Sequence, residues 1–75
     1  MNLSQTPKHI KVVIKTISAQ SFLKKRLLSL GLSVGKEIEV TEMSLQKNTI
    51  KIALGFSAIA LRMEEAQMIE VEVVA

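Results

Sequence analysis

The sequence predicts a mainly β domain, a small SH3-like β-barrel of about five strands with one helix inserted after strand one. Three observations carry this. Several short segments alternate apolar and polar residues with the period of a strand; one segment has the period of a helix; and the connections are tight and rich in turn residues. In a single domain of residues 1–75, such strands favour a closed barrel, because closure removes the edges that an open sheet would expose.

Residues 9–17, HIKVVIKTI, place Ile10, Val12 and Ile14 on one strand face and Lys11, Val13 and Lys15 on the other. SAQSFLKKRLLSL follows with Leu23, Leu27 and Leu30 at helical spacing, about three turns in all, and with Ser18 or Ser21 as candidate caps. Gly31 stands where a helix ends in the left-handed conformation, with Leu32 beyond it to pack back on Leu27 as in a Schellman motif. In Ser33-Val34-Gly35-Lys36, Gly35 suits the third position of a type II turn. KEIEVTEM then alternates with Ile38 and Val40 inward. SLQKNT makes a turn with Lys47-Asn48 at its tip, and TIKIALG returns with Ile50, Ile52 and Leu54 inward. FSAIALRM supplies Ile59 and Leu61, MEEAQM suits one helical turn, and IEVEVV closes with Ile69, Val71 and Val73 inward.

Composition narrows the chemistry. The chain is 48% hydrophobic but has only two Phe and no Trp or Tyr, so its core is aliphatic. It has no cysteine, which excludes disulfides, thiolate metal sites and a cysteine nucleophile, and suits a reducing cytoplasm. No run approaches the ~18 apolar residues of a membrane span, and MNLSQTPKHIK lacks the apolar stretch of a signal peptide, so a soluble, unprocessed chain is expected. Residues 1–36 carry seven Lys/Arg and no acid, whereas residues 37–75 carry three Lys/Arg and seven acids. In one sheet these charges face each other. Pairing of the first and last strands would bring Lys11 and Lys15 across from Glu70 and Glu72.

Catalysis finds no support: there is no Asp, no Cys, no GxSxG motif, and the single histidine, His9, has no obvious orienting carboxylate. No cofactor or metal is expected. His9 lies among Lys8 and Lys11, which disfavour a cation, and the Glu37/Glu39 and Glu70/Glu72 pairs read as solvated strand faces. Glu64 and Glu65 suit the first turn of the short helix, where its dipole favours them. Gly31 and Gly35 follow a helix rather than precede one, the wrong polarity for a phosphate cradle. Single-strand nucleic-acid binders need aromatic platforms, which Phe22 and Phe56 barely supply, so a nucleic-acid partner is a minor alternative.

The helix leaves one apolar residue over. With Leu23 at zero and roughly 100° per residue, Leu27 and Leu30 fall within about 40° of it, but Leu28 falls near 140°, between Lys24 and Lys25. Phe22 is on the flank, and Leu45 sits in the hairpin loop where no inward alternation requires it. Lys24, Lys25 and Arg26 fan around the helix rather than form one anion-binding or membrane-binding stripe.

Residues 26–40, RLLSLGLSVGKEIEV, resemble the RL..LG...G..i.v signature of the FeoA domain family, ferrous iron transport protein A. Ile59-Ala60-Leu61-Arg62, Glu65-Ala66 and Ile69-Glu70-Val71 resemble its closing pattern. Two segments depart: Ser44-Leu45-Gln46-Lys47-Asn48 keeps only the leucine of the family's hairpin loop, and Pro7-Lys8-His9 stands where a glycine commonly precedes strand one. The resemblance implies an SH3-like cytoplasmic protein, recruited to the inner face of the membrane by the ferrous iron transporter FeoB, whose cytoplasmic part includes a GTP-binding domain. It would support the transporter's assembly or modulate its nucleotide cycle. Related domains serve as regulatory SH3-like modules in metal-dependent repressors. The expected contacts are Leu28, Leu32 and Leu45, with Lys24, Lys25 and Arg26 as a polar rim; exposed leucines also lend themselves to self-association.

Overall fold

Apolar alternation becomes strand pairing in the computed structural model, which describes residues 1–74. A 3-10 turn at Leu3–Gln5 precedes β1 (Lys11–Ile17), α1 (Ser21–Ser29), β2 (Glu37–Ser44), β3 (Thr49–Leu54), β4 (Ser57–Arg62), α2 (Met63–Ala66) and β5 (Ile69–Val73). The five strands form one antiparallel sheet in the order β4-β3-β2-β1-β5. The inward residues Val12, Ile14, Ile38, Val40, Ile50 and Ile52 are all buried, each contributing roughly 1.5–3 kcal/mol by leaving water.

The register corrects the expected charge pairing. Lys15 reaches Glu72 at 3.3 Å, but Lys11 lies opposite Glu39 of β2, and Glu70 binds the N-terminal ammonium at 3.0 Å. Val73, expected inward, is half exposed at the end of β5. β1 starts at Lys11 rather than His9 because His9 takes a φ of 65°, which turns the chain out of the extended conformation. Its amide still donates to the Val40 carbonyl at 2.7 Å.

α1 is a little shorter than its spacing allows. Neither Ser18 nor Ser21 caps it: Gln20 holds the N-cap position and makes no side-chain bond there, while the Ser18 amide donates to Met68. The other end forms as the glycine pattern requires. The Gly31 amide donates to the Leu28 carbonyl at 3.0 Å and the Leu32 amide to the Leu27 carbonyl at 3.0 Å, the two bonds of a Schellman motif, with Gly31 at φ 95°. Lys36 donates to Ser33 at 3.1 Å with Gly35 at φ 93°; Val34 has a negative φ, so the turn is type II.

Closure departs from the closed barrel that the strand lengths favour. Among the described residues β4 and β5 do not pair, and α2 occupies the step between them. β5's outer edge is covered by residues near the N-terminus: Val71 donates to the Met1 carbonyl at 2.9 Å, Asn2 bridges to Glu70, and Leu3 is buried. Among the described residues no such segment covers the outer edge of β4.

A Cβ at Gly31 would stand 2.9 Å from Leu54 Cδ2, whereas one at Gly35 meets open space. Both positions carry positive φ, so Gly35→Ala costs about 1 kcal/mol and Gly31→Ala about 2 kcal/mol or more in denaturant unfolding. Equal losses would refute the crowding at Gly31. At His9, by contrast, glycine relieves the left-handed strain, and His9→Gly raises stability by about 0.5 kcal/mol.

Candidate functional site

The helical turn α2 follows β4 directly, so Glu64 and Glu65 enter its first turn. Glu65 is the one charged side chain buried among the described residues. Its Oε1 accepts the Arg62 backbone N–H at 2.9 Å, and its Oε2 accepts a charged hydrogen bond from Nη1 of Arg26 on α1. A buried carboxylate costs several kcal/mol unless it is paired and hydrogen-bonded, and here both conditions are met. The Arg62 guanidinium turns instead to Glu64, at 3.8 Å.

This gives Arg26, expected on a polar rim, a structural partner as well. Its head is held by Glu65, so it ties α1 to α2 before it offers anything to a partner. The tie also sets the helix's rotation: Leu27 is buried, Leu23 and Leu30 pack against the core, and the opposite face points to solvent. On that exposed side Lys24 and Lys25 flank Leu28 from one turn back, and Phe22 neighbours Lys25 but stands about 120° round the helix from Leu28. Phe22 is 85% and Leu28 47% exposed. Among the described residues no carboxylate lies within ion-pair distance of Lys24 or Lys25, whereas Glu42, Glu64, Glu65, Glu70 and Glu72 each have a cationic partner.

The other expected contacts separate. Leu45 is 81% exposed at the β2–β3 turn. Leu32 is 0% exposed; the Schellman motif folds it into the core, and its place in a docking surface is withdrawn. The base of the hairpin and α1 meet through α2, because the Met63 amide donates to the Asn48 carbonyl at 2.9 Å while Glu65 holds Arg26. His9 is exposed, 3.7 Å from Glu39, and among the described residues no group of three or more His, Cys, Asp or Glu side chains could hold a metal ion. No helix among them is long and apolar enough to cross a membrane.

With this geometry established, the comparisons decide the family: the model of the FeoA domain matches residues 1–73. The chain belongs to the FeoA domain family. It is 35% identical over 74 residues to a Campylobacter jejuni protein that carries the provisional name Fe(2+) transport protein A, spanning 99% of this chain and 100% of that one. The solution structure of iron(II) transport protein A from Clostridium thermocellum is 34% identical with a TM-score of 0.92 over 99% of this chain, which spans only 46% of that one. FeoA of Stenotrophomonas maltophilia, described as an SH3 domain protein and complexed with zinc, is 26% identical with a TM-score of 0.79, over 96% of this chain and 89% of that one. The barrel is therefore SH3-like. A manganese-dependent transcriptional repressor, 20% identical, shares the fold alone, with a TM-score of 0.91.

Two features of the site exceed the sequence reading. Phe22 was placed only on the helix flank, yet it is the most exposed apolar side chain on α1. The Arg26–Glu65 pair joins the two segments that carry the family resemblance, and that shared retention was the available signal.

Removing one partner of this pair should cost more than removing both. Arg26→Met leaves a buried carboxylate with only the Arg62 amide, a loss of about 2–3 kcal/mol. Combined with Glu65→Gln, which keeps an acceptor for that amide without the charge, Arg26→Met should recover about half of the loss. Strict additivity in urea unfolding would show that the pair contributes no coupling.

Proposed function

We propose that this FeoA-family chain is a non-catalytic, cytoplasmic accessory protein of ferrous iron uptake that docks on the cytoplasmic GTP-binding region of the FeoB transporter and supports its assembly or regulates its GTPase-linked transport. The observation that carries the reading is the outer face of α1: two exposed apolar side chains, Phe22 and Leu28, beside two lysines without a carboxylate partner among the described residues. Apolar centre and charged rim are the anatomy of a protein contact, in which the centre supplies most of the affinity and the rim steers approach. Leu45 extends the surface from the hairpin turn, and Arg26 adds only the part of its side chain that Glu65 leaves exposed. The names of the relatives support iron transport as the process, and the role asks for no iron ligand on this chain.

The direct measurement is calorimetric titration of the transporter's purified cytoplasmic region with this protein. Leu28→Glu, which keeps the fold because Leu28 is outside the core, should weaken binding about tenfold or more. Lys24→Glu with Lys25→Glu should slow association and flatten its salt dependence. Unchanged affinity in both variants would reject the surface. Salt-sensitive retention of single-stranded RNA, with no affinity for the transporter region, would favour the nucleic-acid reading instead.

A further inference from the structure

The backbone of β4 ends in two bonds of opposite direction. The Met63 amide donates across to Asn48, the residue before β3, while the Arg62 amide donates away from β3 to Glu65. In an antiparallel pair, hydrogen-bonded and non-bonded residues alternate. The β3–β4 register, with Leu61 opposite Ile50 and Ile59 opposite Ile52, therefore assigns Ser57, Ile59 and Leu61 to the ladder. Ala58 and Ala60 point their N–H and C=O groups to the other side. Both residues are exposed, and among the described residues neither makes a backbone bond beyond the β3 ladder.

Natural sheets blunt a free edge with charge, proline, a bulge or a covering segment. β5 has the covering segment; among the described residues Ser57-Ala58-Ile59-Ala60-Leu61 has none of these, and its pairing with β3 runs without a shift. We propose that β4 pairs with β4 of a second copy of this chain, antiparallel about a two-fold axis through Ile59. That register is self-complementary. Ala58 meets the partner's Ala60 and Ala60 the partner's Ala58, so all four free groups of each copy are satisfied by four inter-chain bonds. The half-buried Ile59 packs on its own equivalent. Arg62 falls opposite the partner's Phe56, an exposed aromatic beside a cation, and no two like charges meet along the strand. Registers centred on Ala58 or Ala60 would satisfy fewer of these groups between Ser57 and Leu61. The contact is separate from the α1 face proposed for the transporter, so either reading can fail without the other.

The wild-type chain should show a dimer fraction that rises with concentration in sedimentation velocity, with the Ala58 and Ala60 amides gaining hydrogen-exchange protection in step. Ala60→Pro removes a donor that the β3 ladder does not use, and should weaken association about tenfold or more while leaving the circular dichroism unchanged. Ala58→Lys provides the same block without altering the backbone. A wild type that stays monomeric at millimolar concentration overturns the proposal, as does a dimer that both variants leave intact. A monomer whose binding to the transporter region falls in Ala60→Pro would assign the edge to a foreign strand and overturn self-pairing.

Discussion

The structure turns on one buried carboxylate. Glu65 enters a four-residue helix at the step where the sheet's first and last strands in spatial order fail to pair, and it binds both the Arg62 amide and the Arg26 guanidinium. Without a ladder between β4 and β5, α2 has to close the barrel, and so short a helix has little stability of its own. Its position comes from tertiary bonds: Met63 to the hairpin base, Glu65 to α1, and the apolar burial of Met63 and Ala66 beneath. The cost of burying the charge is offset only because both oxygens are used.

That constraint reaches the surface through Arg26. A helix of nine residues held only by Leu23, Leu27 and Leu30 could rotate by some tens of degrees without leaving the core, since apolar packing tolerates modest adjustment. A charged hydrogen bond from Arg26 to a fixed carboxylate is directional. With Leu27 inward, Leu28 faces out by the 3.6-residue period with Lys24 and Lys25 one turn back on either side of it, while Phe22 is exposed about 120° away round the helix. The Schellman bonds at Gly31 then turn the chain at once, so that Leu32 enters the core rather than extending the exposed leucine series.

Strand and helix periods were legible in the sequence because they report burial directly: Ile50 and Ile52, or Ile69 and Val71, alternate with residues that solvent can reach. Both glycine turns were legible because positive φ leaves few alternatives to glycine. What escaped was set by tertiary partners. Leu3 has no periodic neighbours, and its burial follows from the Met1 carbonyl meeting Val71. The positive φ of His9 is invisible in a residue that usually avoids it, although the family's glycine marks the place. Parity alone matches Lys11 to the last strand, but the register sets Val12 opposite Val73, so Lys11 falls beyond Glu72 at the end of β5 and lies opposite Glu39 of β2 instead. At the site, Leu28 is legible from its angle on the helix and the Schellman pattern already turns Leu32 back on Leu27, against its place among the expected contacts; the partner of Arg26 is not legible, because Glu65 lies 39 residues away.

Charge follows the same logic. The basic first half and acidic second half suggest a polarised molecule, but the fold interleaves them, so five glutamates find cations and Glu39 lies 3.7 Å from His9. Each exposed pair contributes little to stability, about 0–1 kcal/mol. Among the described residues Lys8, Lys11, Lys24, Lys25, Lys36 and Lys47 have no such partner, and two of these six, Lys24 and Lys25, stand on either side of Leu28 as a positive rim. Glu65 acts on the backbone as well. By taking the Arg62 amide it ends the free edge of β4 at Ala60, which confines pairing there to a stretch short enough for one register to satisfy. Two surfaces on separate elements, one read by side chains and one by backbone, thus both depend on where a single carboxylate is held.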